Sequence, residues 1–293
     1  MTTNEDAELA ERFEEHRPHL RAVAYRMLGS LTEADDAVQE AWLRASRADA
    51  SHIESLGGWL TTIVARVSLN ILRSRSRRRE EPIGVHLPDP LVTGEGMQPE
   101  DEAVLADQVG LALMVVLDSL SPAERLAFVL HDLFGLAFDE IAAMLERTPV
   151  ATRQLASRAR RRVKAAEIPT PDPDLGRQRE VVDAFFQAAR EGDFDALITI
   201  LHPDVVLRSD FGAKNRKASV ITRGAAVVAG QARGFPGAIV RPAIVNGVAG
   251  AVITVRDRPI AVLAFTVVDG RVVAIDAIGD PERVRRVAAS VLG

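Results

Sequence analysis

Residues 137–163 read AFDEIAAMLERTPVATRQLASRARRRV. Ile141, Ala142 and Leu145 recur at helical spacing and form the inner face of a first helix. Thr148-Pro149 is a helix start, a capping hydroxyl followed by proline at the first position. Thr152, Leu155 and Ala159, spaced by three and four, line the inner face of a second helix, and the small Ala142 lets the two cross. The pattern predicts a helix-turn-helix. Glu146 occupies the turn position where glycine is common, at some conformational cost. Arg153, Gln154, Ser157 and Arg158 are left facing outward, with Thr148 and Arg161 bordering them. Arginine and glutamine suit base edges in a major groove, and serine suits phosphate or base. Arg160, Arg161 and Arg162 are expected to meet phosphate or stay solvated. A helical hairpin without DNA contacts is the alternative.

Upstream, LALMVVLDSL (111–120) and SPAERLAFVLHDLFG (121–135) continue the helical pattern, with Ser121, Pro122 and Glu124 forming a capping start. Residues 8–80 also read as helices. Leu20, Val23, Ala24, Met27 and Leu28 make one stripe, EADDAVQEAWLRAS (33–46) a second helix, and residues 58–79 a long third one ending in RSRSRRR. Between these halves, residues 81–100 hold four prolines and three glycines and read as a linker. A second Pro-rich linker, 167–176, precedes a change of character. VVDAFFQAAREGDFDALITIL (181–201) is two helices split at Gly192-Asp193. Val- and Ile-rich runs follow at 204–210, 237–245, 249–256, 260–268 and 271–278, with turn signals at Asn246-Gly247 and Asp269-Gly270. The last third is thus expected to be α+β, helices first and an antiparallel sheet after. The predicted domains are 8–80, 101–166 and 177–293.

The 293 residues suffice for two or three domains. No apolar run is long enough for a membrane span, and the acidic N-terminus is no secretory signal. The absence of cysteine excludes disulfides and thiolate metal sites, and a cytoplasmic location is expected; neither a metal nor a cofactor is indicated. The net charge of −5 looks wrong for a DNA binder, but it hides two basic runs. Residues 66–79 hold six arginines and residues 153–164 five arginines and a lysine, neither with an acidic residue. Two basic helix ends in an otherwise acidic chain suggest two contacts with a polyanion. A solvated face is the alternative for either run alone.

TEADDAVQEAWLRA (32–45) resembles the polymerase-binding signature of sigma factor region two. GGWLTTIVARVSLNILRSRSRR (57–78) resembles the following helix, which melts and reads the −10 element. Residues 121–163 resemble region four, which reads the −35 element. The chain is thereby identified as similar to the extracytoplasmic-function sigma factors, with RNA polymerase core and promoter DNA as implied partners. Asp35, Asp36, Gln39, Glu40 and Leu43 can share one helix side. The resemblance implies that this side meets the clamp coiled coil of the largest polymerase subunit; taken alone it reads as an ordinary solvated acidic face. Trp42 fits core better than contact. Capture of a flipped base needs a loop pocket beside positive charge. The loop at 49–58, with His52, and the helix positions Arg66, Asn70, Arg73 and Arg77 are the candidates.

Residues 177–293 resemble the SnoaL-like branch of the cone-shaped NTF2-like fold, on the stretch VVDAFFQAAREGDFDALITILHPDVVL (181–207). Sigma factors with this extension form a subgroup, and three short motifs here are similar to its signatures. Leu87-Pro88-Asp89-Pro90 resembles LPEP. Asp210-Phe211-Gly212-Ala213-Lys214 resembles DGGGK with two glycines replaced. Asp280-Pro281-Glu282-Arg283-Val284 resembles NPDKL. The resemblance implies that the extension regulates the sigma core directly. As an enzyme, the domain would need a base from His202, Asp204 or Asp210 and an oxyanion partner, commonly tyrosine. The chain's one tyrosine, Tyr25, lies elsewhere, so no catalytic residue is assigned. A small-molecule ligand whose identity the sequence does not reveal is compatible with the domain. A helix-turn-helix repressor with a ligand-sensing domain leaves residues 20–80 unexplained. A SnoaL-like isomerase or cyclase explains only the last third.

Overall fold

The elements begin and end where local chemistry dictates. The structure, a computed structural model, describes residues 3–48, 53, 55–77, 85–94, 110–232 and 237–292. Helices α1 (Thr3–Leu28), α2 (Leu31–Ala45) and α3 (Leu56–Arg77) come first. They pack on one another and bury Leu20, Val23 and Met27 with Ala34, Val38, Leu60 and Val64. Next come α4 (Leu111–Asp118), α5 (Pro122–Phe128) with a π turn over Val129–Leu133, α6 (Phe138–Leu145) and α7 (Pro149–Ala165). Helix α5 opens with a reciprocal cap: Ser121 Oγ accepts the Glu124 amide, and the Glu124 carboxylate accepts the Ser121 amide. Helix α6 stops at Glu146, whose backbone is left-handed at φ 56°. The amides of Glu146 and Arg147 both return to the Ala142 carbonyl, the closure a glycine-terminated helix makes. Glutamate bears there the Cβ crowding that glycine avoids.

The chain falls into two compact units. Among the described residues, the first comprises α1–α3 and nearly all of α4–α7; the second comprises residues 85–94, 110–111 and everything from 168 onward. Within the first unit the two helical halves share a core, with α3 packed on α5 and α6. Buried Arg125 donates to the Arg26 carbonyl at 3.1 Å and pairs with Asp118. Phe134 takes the Arg26 guanidinium over its ring, 5.1 Å from the centroid, and His19 edge-on.

The second unit sets α8 (Leu175–Glu191), α9 (Phe194–Ile200) and α10 (Ala225–Gln231) against a seven-stranded sheet. Its strands are β1 (Val92–Gly94), β2 (Leu201–Asp210), β3 (Ile221–Arg223), β4 (Ala238–Val245), β5 (Val248–Val255), β6 (Arg258–Val268) and β7 (Arg271–Ile278), in the order β1-β4-β5-β6-β7-β2-β3. Phe185, Phe186 and Phe265 interlock at its core with centroids 5.2–5.6 Å apart, among Val182, Leu197, Val267 and Ile275. Helices α11 (Pro281–Val287) and α12 (Ala289–Leu292) close the chain.

Two expectations are corrected. The sheet is mixed, because β2 runs parallel to β7. Hairpins set the direction of β4 to β7, but β2 joins them from far away in the chain, so no turn forces it antiparallel. The stretch expected to be a linker is, over its described part, a piece of the second unit. Leu87, Leu91 and Val92 are buried, Leu91 and Asn246 exchange hydrogen bonds at 3.0 and 2.8 Å, and β1 pairs with β4. Apolar side chains gain by leaving water, and the strand covers an edge of β4 that would otherwise be open.

Candidate functional site

The outward face of α7 is built by its inward one. Thr152, Leu155, Ala156 and Ala159 are buried, so Arg153, Gln154, Ser157, Arg158 and Arg161 are turned to solvent. Thr148 is exposed but serves first as the cap, accepting the Ala151 amide at 3.2 Å. The Arg153 guanidinium lies 5.5 Å from the Phe138 ring centroid, a cation–π contact that fixes its starting position. Arg160 and Arg162 are exposed as well, and each also makes an ion pair: Arg160 with Asp132 at 2.6 Å and Arg162 with Glu124 at 3.3 Å. Both bonds hold α7 to the rest of its own unit while leaving the two side chains about half exposed. Sequence reasoning passed over Val150, an apolar side chain 61% exposed in the first turn of α7; its place opposite the buried stripe was the available signal.

Helix α3 carries a second cationic face. Arg66, Asn70, Arg73 and Arg77 are exposed at spacings of four, three and four, which places them in one line. Arg66 donates to the Ala143 carbonyl of α6 at 3.4 Å. Arg75 is turned away from that line and pairs with Glu33. His52 lies outside the described residues.

On α2, Asp36 and Gln39 are exposed and Leu43 stands 41% exposed beside them. Glu40 is paired with Arg44 at 2.9 Å, and Asp35 is taken by Arg21 at 2.6 Å. Trp42 packs on Phe13, centroids 5.0 Å apart. The face therefore presents Asp36, Gln39 and Leu43 to solvent, with Asp35 and Glu40 ion-paired yet still about half exposed.

The second unit brings its three motifs together around Arg283. The Arg283 guanidinium donates to Asp89 at 2.6 Å, to Asp210 at 2.6 Å and to the Leu87 carbonyl at 2.5 Å. Asp210 also accepts the amides of Leu87 and Gly212 at 2.9 Å, and His86 lies 3.4 Å away. Pro88 and Pro90, which flank Asp89, are buried. Burial pushes the Asp210 carboxyl up, but His86, the two amides and the Arg283 charge outweigh it and hold it well below the usual carboxylate range. Burial lowers the Arg283 pKa, and Asp89 and Asp210 more than restore it. Asp280 caps α11 by accepting the Glu282 and Arg283 amides at 3.0 Å, with Pro281 in the first turn. Gly212, at φ 75°, has no room for a Cβ against the Asp280 carboxylate. Phe211, in place of a motif glycine, lays its ring over Gly279. Lys214 and Glu282 pair at 3.2 Å, both exposed.

Of the candidate bases, Asp210 is engaged by Arg283, while Asp204 is exposed and its amide donates to His202 Nδ1. Asp276, its pKa raised by burial against the opposing charge of Arg208, pairs with that arginine at 2.7 Å. Among the described residues no group of three or more His, Cys, Asp or Glu could hold a metal ion, and no helix is long and apolar enough to cross a membrane.

Residues 12–78 match the model for sigma-70 region 2, and residues 110–163 the model for sigma-70 region 4. The ECF RNA polymerase sigma factor SigJ of Mycobacterium tuberculosis is 40% identical over 288 residues, covering 92% of this chain and 91% of that protein. A probable ECF RNA polymerase sigma factor of the same species, SigI, is 39% identical over 193 residues, 65% of this chain and 66% of its own. The crystal structure of the M. tuberculosis SigJ matches with a TM-score of 0.72 at 36% identity, over 94% of this chain and 97% of that one.

Proposed function

The chain belongs to the ECF RNA polymerase sigma factors, its two all-α sigma regions followed by an α+β SnoaL-like domain, and on that premise we propose how its surfaces divide the work. As a sigma factor it partners with core polymerase and promoter DNA. The face of α2 formed by Asp36, Gln39 and Leu43, with Asp35 and Glu40 at its border, docks on the clamp coiled coil of the largest polymerase subunit. The stripe Arg66, Asn70, Arg73 and Arg77 follows the −10 strand. Arg153 and Gln154 read −35 base edges, with Ser157, Arg158 and Arg161 on adjacent phosphates or bases and Thr148 at the helix start.

The SnoaL-like domain controls the sigma regions in cis. One observation carries this: Arg283 binds Leu87 and Asp89, residues that lie in the chain between the two DNA-reading regions. A domain that grips the connection limits the arrangements those regions reach. Where the gripped arrangement differs from the one used on polymerase, activity falls by the coupling free energy, typically about 1–3 kcal/mol or roughly 5–150-fold. Transcription with core enzyme compares the full chain with one ending at Gly279, which lacks Asp280 and Arg283. The shortened chain is expected to transcribe more. Equal activity from two folded proteins would remove the proposed restraint.

A further inference from the structure

Polar contacts with DNA and ion pairs within the unit account for the arginines of α7 but not for the residue beside them. Val150 is the second residue of that helix and, at 61%, the most exposed large apolar side chain among the described residues. Gln154, Ser157 and Arg161 follow it by four, seven and eleven residues, so at 100° per residue all four share one line. Thr152, Leu155 and Ala159, all buried, lie on the opposite side. Val150 therefore occupies the middle of the outward face, in the first turn, where recognition helices present side chains to base edges. Its neighbours there, Thr148, Arg153, Gln154 and Arg158, are polar or cationic and exposed.

Exposed valines are common on protein surfaces; this one is informative because of what its face meets. Most groups on the major-groove edges are hydrogen-bond donors or acceptors, which an apolar side chain would desolvate without replacing. The thymine C5-methyl is the apolar exception. We propose that Val150 is a specificity-determining residue of −35 recognition, selecting thymine through contact with its C5-methyl group. The inference rests on α7 as the −35 reader and names one base preference within it.

The experiment uses holoenzyme assembled from this protein and core polymerase. Selection from promoters randomised in the −35 region is followed by binding to the selected duplex with each thymine replaced in turn by deoxyuridine, which removes only the methyl. At one position, deoxyuridine is expected to weaken wild-type binding about fourfold, the effect of one buried methyl-sized group. Val150→Ala, at an exposed site, is expected to leave melting unchanged, to shrink that ratio toward one and to select thymine there less often. An unchanged ratio and selection in Val150→Ala overturns the inference, as does a wild type indifferent to deoxyuridine everywhere. Arg153→Ala with Gln154→Ala separates the two levels. If that double variant changes the selected sequence and Val150→Ala does not, only the thymine contact fails. If neither changes it, α7 is not the reader and both fail.

Discussion

Two arginine clusters in this molecule end in opposite conditions. On α7, Arg153, Arg158 and Arg161 are open to solvent. In the SnoaL-like domain, Arg283 is 13% exposed and hydrogen-bonded through all three guanidinium nitrogens. The same side chain is held out to solvent in one place and serves cohesion in the other. What separates them is whether carboxylates of the same chain reach the guanidinium. Arg160 and Arg162 stand between the two conditions, since Asp132 and Glu124 pair with them while their side chains stay about half exposed.

The largest expected effect tests this contrast on stability. Arg283→Met removes the cation shared by buried Asp89 and Asp210, leaving Arg286 3.4 Å from Asp89 and His86 3.4 Å from Asp210, which is expected to cost about 3–5 kcal/mol. Arg153→Met, at an exposed position, is expected to stay within about 0.5 kcal/mol. Urea unfolding of both variants is the measurement, and similar losses would erase the distinction. Acid acts on the same cluster. The Asp210 pKa is depressed in the folded protein, so its contribution is present above the unfolded value of about 3.9 and is lost as pH falls through the folded one. Asp210→Asn is expected to lose less stability than wild type between pH 4 and the acid transition, as followed by circular dichroism.

On the open cluster the expected effect is on DNA. Arg153→Ala or Gln154→Ala should cost about 1–3 kcal/mol of discrimination between −35 sequences. Arg161→Ala should weaken all sequences alike and reduce the salt slope by about one. Competition binding by holoenzyme across salt concentrations separates the two outcomes. If all three variants behave as Arg161→Ala, the base-reading role goes and a purely electrostatic face remains.

The smallest effect concerns the turn that presents this face. Glu146→Gly relieves a left-handed backbone at φ 56° and is expected to stabilise the first unit by roughly 1 kcal/mol or less, since glycine also loses more entropy on folding. A rise in melting temperature is the readout. A fall would mean that the glutamate side chain contributes more than its backbone costs.

Much of this was legible because it is local. The spacing of Ile141, Ala142, Leu145, Thr152, Leu155 and Ala159, with caps at Ser121 and Thr148, specifies the helix-turn-helix and which side chains face out. Asn246-Gly247 and Asp269-Gly270 announced two turns, both with positive φ. Arg256-Asp257 makes a third such turn with φ of 49° and 58° and no glycine, so it carried no signal. Strand β1 was hidden because three residues beside prolines have too little pattern to read. The motif resemblances pointed to the 87–90, 210–214 and 280–284 segments without saying which atoms meet.

The order of the sigma regions therefore came from the family resemblance, while the sequence alone determined helices, caps and most of the outward set on α7. These depend on neighbours three and four residues away, where periodicity speaks directly. Tertiary structure alone decided which arginines are ion-paired and that the Pro-rich segment, over its described part, joins the second unit. Arg160 finds Asp132 at 28 residues' separation, Arg162 finds Glu124 at 38, and Arg283 finds Asp89 at 194. No helical or strand period spans such distances. An ion pair across them exists only once the chain has folded and the desolvated groups have found one another.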